Sequence, residues 1–301
     1  MDDLIKVAMV PALMLLGIAL RQAKTGLKAS HMELLILYFT LPILMFTQML
    51  TIGLDKLSLG GIAGVSLVYL ALCFIVSYWS CRRLPSKEKG TVVFNATFFN
   101  SMFLPFPLIY AFYGDLSVAL LFSLPIAILH NTLGVFMASY WGHGKIERKT
   151  IIRAITFPPF VAFLIGVLAR PMLADFVSSS AFSALSTIGL LTVYLSLVLV
   201  GLAIPLSKDS LMVFRNRVAG LITVNRMLIS PILALILVAV LNLVGIVKST
   251  IIIMSLMPPG FTNLVITSRF GLDVEATCQS IFLPSLVSVG IVFALRFFVL
   301  I

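Results

Sequence analysis

Charge is what this chain has least of. Of its 301 residues only 11% are Asp, Glu, Lys or Arg, whereas 60% are hydrophobic, and the mean hydropathy is +1.15. A soluble domain carries roughly 25% charged and 45–50% apolar residues. A water-exposed surface is therefore excluded, and with it a soluble enzyme, a nucleic-acid module and a disordered chain. Cysteine is scarce as well. Cys73, Cys81 and Cys278 have spacings that suit neither a metal site nor a disulfide framework, and they are expected to pack as small apolar groups. Catalytic signatures are missing too. The sequence holds no His-Glu-x-x-His, no Gly-x-Ser-x-Gly and no phosphate-cradling Gly-rich loop. No carboxylate pair lies inside an apolar run, and no ATP-binding segment is present. The chain reads as a non-enzyme without cofactor, metal or nucleic-acid partner.

What is present is long apolar runs. A hydrocarbon core of ~30 Å needs ~20 helical residues. Ten such segments are legible, at roughly 4–20, 34–53, 60–79, 91–112, 116–140, 151–169, 182–206, 218–243, 249–270 and 276–299. The acidic start, Met1-Asp2-Asp3, lacks the positive n-region of a signal peptide, so the first run is expected to be a retained helix. The net charge of +10 tests this parse. Connections after segments one, three, five, seven and nine carry Arg21, Lys24, Lys28; Arg82, Arg83, Lys87, Lys89; Lys145, Arg148, Lys149, Arg153; Lys208, Arg215, Arg217; and Arg269. The other side carries only Lys6, Lys56, Arg170, Lys248 and Arg296, and Arg226 lies inside a segment. This three-to-one bias puts the first side in the cytoplasm and both termini outside. The expected fold is an all-α integral membrane protein of ten transmembrane helices.

The two halves, 1–142 and 143–301, echo each other. Pro11, Gly17 and Arg21 of helix one match Pro158, Pro159, Gly166 and Arg170 of helix six. Phe112-Tyr113-Gly114-Asp115 resembles Arg269-Phe270-Gly271-Leu272, and each opens a helix containing Leu-Pro. An odd number of helices per half makes the two five-helix repeats inverted, an architecture typical of transporters.

The polar chemistry concentrates in helices four and nine. Helix four reads Asn95-Ala96-Thr97-Phe98-Phe99-Asn100-Ser101-Met102-Phe103-Leu104-Pro105-Phe106-Pro107, and helix nine contains Met257-Pro258-Pro259-Gly260-Phe261-Thr262-Asn263. Paired prolines cannot sit inside a continuous helix, because each removes a donor and clashes one turn back. Both segments are predicted to break near mid-membrane, at matching positions in the repeats. Broken backbone at that depth must be buried in protein or line a cavity. Half-helix N-termini there would offer N–H groups and partial positive charge to an anion. The candidate substrate-binding residues are Asn100, Pro105, Pro107, Pro258, Pro259, Thr262 and Asn263.

These motifs resemble the auxin efflux carrier family. The run Asn100-x-x-Phe103-Leu104-x-x-Pro107 followed by Gly114 carries the resemblance, as does Met257-Pro258-Pro259-x-x-x-Asn263 followed by Arg269-Phe270-Gly271-Leu272-Asp273. Pro42 in helix two and Gly201 in helix seven fit as well. The family includes plant auxin exporters and prokaryotic permeases for malate, malonate and similar anions. The loop at 142–150 is short, as in prokaryotic members. The family usually has Gly where this chain has Pro105, so crossing geometry and substrate shape are open to change. The resemblance implies a transport domain from helices three to five and eight to ten, and a scaffold from helices one, two, six and seven that makes a homodimer in the bilayer. It implies a secondary transporter of a small organic anion, auxin-like or a dicarboxylate, in the plasma membrane. Alternating access, elevator-type and potential-driven, is the expected mechanism. A proton- or sodium-coupled symporter is the alternative, ahead of a channel or receptor on the same bundle.

Three more residues stand out. Asn131 shares a face of helix five with Ser123, Ala127 and Gly134, and it either bonds across a small-residue seam or lines the site. His130 is either a proton carrier or a neutral group bonded to a carbonyl. Arg226, nine residues beyond Arg217, either snorkels to the interface or draws a carboxylate inward. Glu33, Asp273 and Glu275 lie near predicted helix ends, where carboxylates favour the N-terminus.

Overall fold

The computed structural model describes residues 2–52, 59–142, 156–203, 213–298 and 301. Among these the secondary structure is helical throughout, save one isolated antiparallel bridge between Phe99 and Pro259. The elements are α1 (Asp2–Gln22), α2 (Ala29–Thr51), α3 (Leu59–Ser80), α4 (Ser86–Thr97), α5 (Pro105–Tyr113), α6 (Ser117–Trp141), α7 (Pro158–Met172), α8 (Ser180–Ala203), α9 (Arg217–Val240), α10 (Gly245–Ser255), α11 (Thr262–Phe270) and α12 (Val274–Phe297). Seven are long and apolar enough to cross a membrane: α1, α2, α3, α6, α8, α9 and α12. The predicted helix ends at 151–155 and 204–206 lie outside the described residues, as do Lys56, Lys145, Arg148, Lys149, Arg153 and Lys208.

Predicted helices four and nine are each split, four into α4 and α5, nine into α10 and α11. The prolines act differently in the two breaks. Pro258 and Pro259 lie in the unwound stretch itself, whereas Pro105 and Pro107 follow the break and open α5. A proline at the first helical position loses nothing, since that N–H has no intrahelical partner. The second halves then end alike. α5 and α11 each run 9 residues and stop at a left-handed glycine, Gly114 at φ 65° and Gly271 at φ 71°. Asp273 caps α12, its Oδ1 accepting from Ala276 N at 2.9 Å, and Glu275 Oε1 accepts from Gln279 Nε2 at 3.2 Å.

Three long helices contain a π-type turn: Ile36–Thr40 in α2, His130–Gly134 in α6 and Asn225–Ile229 in α9. Pro42 and Pro231 follow two of them. Each strips the amide donor from a carbonyl four residues back, Tyr38 and Met227, inside the turn. Such turns cluster at functional sites.

The chain forms two compact units. The first comprises Met1–Ile62, Met102–Leu124 and Ile152–Ile204. Its helices α1 and α8 meet at Gly17 and Gly201, where a Cβ on either would come within 2.9 Å of the other's Cα, the small-residue contact that lets membrane helices approach closely. Arg21 Nη1 donates to Leu202 O at 3.2 Å in the last turn of α8. α2 packs on α7 and α8. The second unit comprises Ala63–Ser101, Pro125–Ile151 and Pro205–Ile301, and within it α4 packs against the ends of α6 and α9.

Large apolar side chains face outward, among them Leu15, Leu67, Trp79, Leu168 and Val240, while Asn95, Asn263, Thr277 and Ser280 are buried. Outward apolar and inward polar is the distribution of a chain whose solvent is lipid. The protein is a multi-pass membrane protein.

Candidate functional site: the paired helix breaks

Backbone accounting explains the second unit's centre. In a continuous helix Ser255 O would accept from residue 259 and Met254 O from residue 258, but both are prolines and have no N–H. In the other break Asn100 N–H, which would serve Ala96 O, donates to Pro258 O at 2.8 Å. The two unwound strands thus run antiparallel and bond at Phe99–Pro259. Met254 O takes the Met257 N–H at 3.2 Å instead, which leaves Ser255 O and Ala96 O in need of donors, since each unmade hydrogen bond in a buried site costs about 1–3 kcal/mol.

Arg226 supplies them. Its Nε donates to Met257 O at 3.0 Å, Nη2 to Ser255 O at 3.1 Å and Nη1 to Ala96 O at 3.5 Å. The guanidinium carbon lies 4.3 Å from the Phe99 ring centroid, a cation–π contact. Ser230 Oγ adds a second donor to Ser255 O at 3.2 Å and is hydrogen-bonded to Tyr69 Oη. Arg226 is 0% exposed. Snorkelling would leave the head group in water, so that reading is corrected: the side chain turns inward from the π-type turn of α9, where the breaks offer it three carbonyls.

A second network locks the other side of the breaks. Asn263 Nδ2 donates to Asn95 Oδ1 at 3.0 Å and to Phe98 O at 2.8 Å. Asn95 Nδ2 donates to Thr277 Oγ1 at 2.9 Å and Thr91 O at 3.0 Å. Thr277 Oγ1 donates to Asp273 O at 2.8 Å, and Asp273 N–H returns to Thr91 Oγ1 at 3.0 Å. Both donors of Asn263 are therefore committed to protein acceptors, which fixes its amide orientation. Its Oδ1 is buried beside the His130 ring. His130 stacks between Phe94 and Phe98, at 5.7 and 5.2 Å between ring centroids.

The remaining candidates distribute as follows. Asn100 is buried and holds the bridge through its backbone. Pro258 and Pro259 form the unwound strand, and Thr262 opens α11, half-buried beside Gly260. Asn131 Nδ2 bonds back to Ala127 O at 2.9 Å in its own helix. Its seam does pack closely one turn on, where a Cβ at Gly134 would lie 2.9 Å from the Phe98 ring. Pro105 and Pro107 belong to the first unit. Sequence reasoning missed Asn95, Thr277, Tyr69 and Ser230. The available signal was polarity at mid-depth in an apolar helix, expensive unless functional or paired. At the membrane edge, Cys81 follows α3, and burial pushes its thiol up to about 11 against the lowering pull of Lys89.

Unwound backbone survives at membrane depth only when enclosed by protein or by a cavity, and carriers build solute sites from such discontinuous helices. The fold and the paired breaks accordingly define an integral membrane transporter. Comparison with known proteins specifies the family: residues 4–295 match the membrane transport protein family, and the chain belongs to it, the auxin efflux carrier family to which its proline–asparagine motifs point. An uncharacterised transporter of Methanothermobacter thermautotrophicus is 28% identical over 279 residues, 86% of this chain and 85% of that protein. One of Methanocaldococcus jannaschii is 22% identical over 215 residues, 70% of this chain and 68% of that protein.

Proposed function

We propose that the protein is a secondary transporter of a small organic anion, working by alternating access around the paired breaks. The observation that carries this reading is the pairing itself: two unwound segments from distant parts of the chain, hydrogen-bonded at Phe99–Pro259 amid buried polar side chains. The reading has ten crossings: the seven long helices, α7, and the split pairs α4/α5 and α10/α11. The matching ends of α5 and α11 support inverted repeats over 1–142 and 143–301. The moving transport part proposed is helices three to five and eight to ten, on a scaffold of helices one, two, six and seven; α4 and α9 to α12 fall in one compact unit, while α5 and residues 117–124 of α6 fall with α1, α2, α7 and α8 in the other. Elevator motion, a homodimer through the scaffold, the plasma membrane and termini outside complete the reading. The substrate-binding residues proposed are Asn100, Pro105, Pro107, Asn131, Pro258, Pro259, Thr262 and Asn263.

An anion is favoured because the N-termini of α5 and α11 follow the breaks. The test is a thermal-shift screen of mono- and dicarboxylates on purified protein, since a ligand of the folded state raises stability. A saturable shift with one class of acids supports the reading, and no shift with any acid, alongside a shift with cations or amines, contradicts it.

One observation favours proton coupling as a second reading. His130 and Asn263 Oδ1 are buried side by side, a place where a proton is held or passed. Proton-coupled flux that His130→Gln makes independent of pH would establish it.

A further inference from the structure

A broken helix leaves its last carbonyls without amide donors, and a helix end carries about half a negative charge. Two such ends converge here on one side chain. α4 runs 12 residues and α10 runs 11 before breaking. Ala96 O, in the last turn of α4, and Ser255 O, at the end of α10, both accept from Arg226, and Met257 O of the unwound strand accepts as well. Also at the guanidinium are the Phe99 ring face, Cys73 Sγ at 3.9 Å and the Tyr69 hydroxyl. No carboxylate pairs with Arg226 among the described residues. The local balance is thus one guanidinium against two helix ends, about +1 against about −1. In carriers with broken helices, unwound carbonyls and half-helix C-termini are the groups that coordinate a travelling Na⁺ or proton.

We propose that Arg226 is the fixed cation of these breaks: its guanidinium fills the carbonyl site that a coupling Na⁺ would need, so the wild-type protein binds no Na⁺ there, and removal of the side chain opens the site to a small added cation. The planar fork suits this task, since it reaches three carbonyls in different directions while a lysine ammonium presents its donors from one point. The proposal stands on the breaks' own carbonyls and holds whichever solute is carried, so rejection of the organic-anion reading leaves it standing.

The experiment measures thermal unfolding of the full chain in detergent or lipid nanodiscs, in sodium, choline and guanidinium chloride at matched ionic strength. Wild type is expected to unfold at the same temperature in sodium and choline. Arg226→Ala is expected to fall by about 5 °C or more and to regain at least half of that loss in about 10 mM guanidinium, a concentration that leaves wild type unmoved. Arg226→Lys is expected to lie between the two. Selective stabilisation of wild type by sodium overturns the proposal, and this arm needs no variant to fold. So does an Arg226→Ala protein as stable as wild type, or one that guanidinium and sodium leave unmoved relative to choline.

Discussion

Asn263→Ala isolates the link between the two breaks. The side chain is 0% exposed and spends both amide hydrogens on the other break, at Asn95 Oδ1 and Phe98 O. Interhelical hydrogen bonds in membranes average about 0.6 kcal/mol and reach about 1.7, so two bonds account for about 1–3 kcal/mol. Their loss also strands acceptors, because Asn95 Oδ1 and Phe98 O have no water to turn to, and a buried unsatisfied group adds about 1–3 kcal/mol. The expected loss is about 2–6 kcal/mol of unfolding free energy. Asn263→Asp should be at least as damaging, since it replaces the donor with an oxygen facing two acceptors. Reversible unfolding in mixed micelles, run as a double-mutant cycle with Asn95→Ala, reads the quantity directly. A loss below about 0.5 kcal/mol, or Asn95→Ala and Asn263→Ala effects that simply add, would refute the structural role given to this pair.

Three further outcomes are expected. Gly201→Val should cost about 1–3 kcal/mol through overpacking, because its neighbours at α1 are backbone atoms that cannot yield, whereas Gly64→Ala, with nothing within 4 Å of the added Cβ, should be neutral in the same unfolding assay. With its thiol raised to about 11 by burial, Cys81 stays protonated at pH 8, and maleimide should label it far more slowly than an exposed cysteine introduced at Lys87, with the rate rising only as pH approaches 11. Asp273→Ala should cost about 1 kcal/mol as a lost N-cap, and Asp273→Asn or Asp273→Ser should recover most of it.

Much of this arrangement was legible in residue types. Paired prolines marked both breaks, because a missing N–H is a local property. Gly114 and Gly271 marked the ends of α5 and α11, because a left-handed stop favours glycine at any tertiary setting. What the unwound strands would do was not legible. Nothing in Phe99 or Pro259 specifies a partner 160 residues away, and Pro105 looked like a breaker although it starts a helix. Arg226 was visibly too deep for a loop charge, yet its partners are carbonyls, which every residue carries. The clue lay one step further on: Pro259 deprives Ser255 O of its helical donor, so some buried donor had to reach that region. Asn95, Asn263 and Thr277 each read as isolated polar residues, since their bonding spans 168 and 182 positions of sequence. The π-type turns that aim Arg226 and hold His130 leave no trace in hydrophobic periodicity.

The most direct test of the proposed function is flux in proteoliposomes under a clamped potassium diffusion potential, using an acid that shifts thermal stability. One net negative charge moved across 100 mV corresponds to about 2.3 kcal/mol, or roughly 50-fold in accumulation at equilibrium. For a monovalent acid carried alone, accumulation should follow the imposed potential by about this factor, with no change when choline replaces sodium. Accumulation that requires sodium, or that ignores potential and follows the pH gradient until His130→Gln abolishes it, contradicts potential-driven transport of the anion.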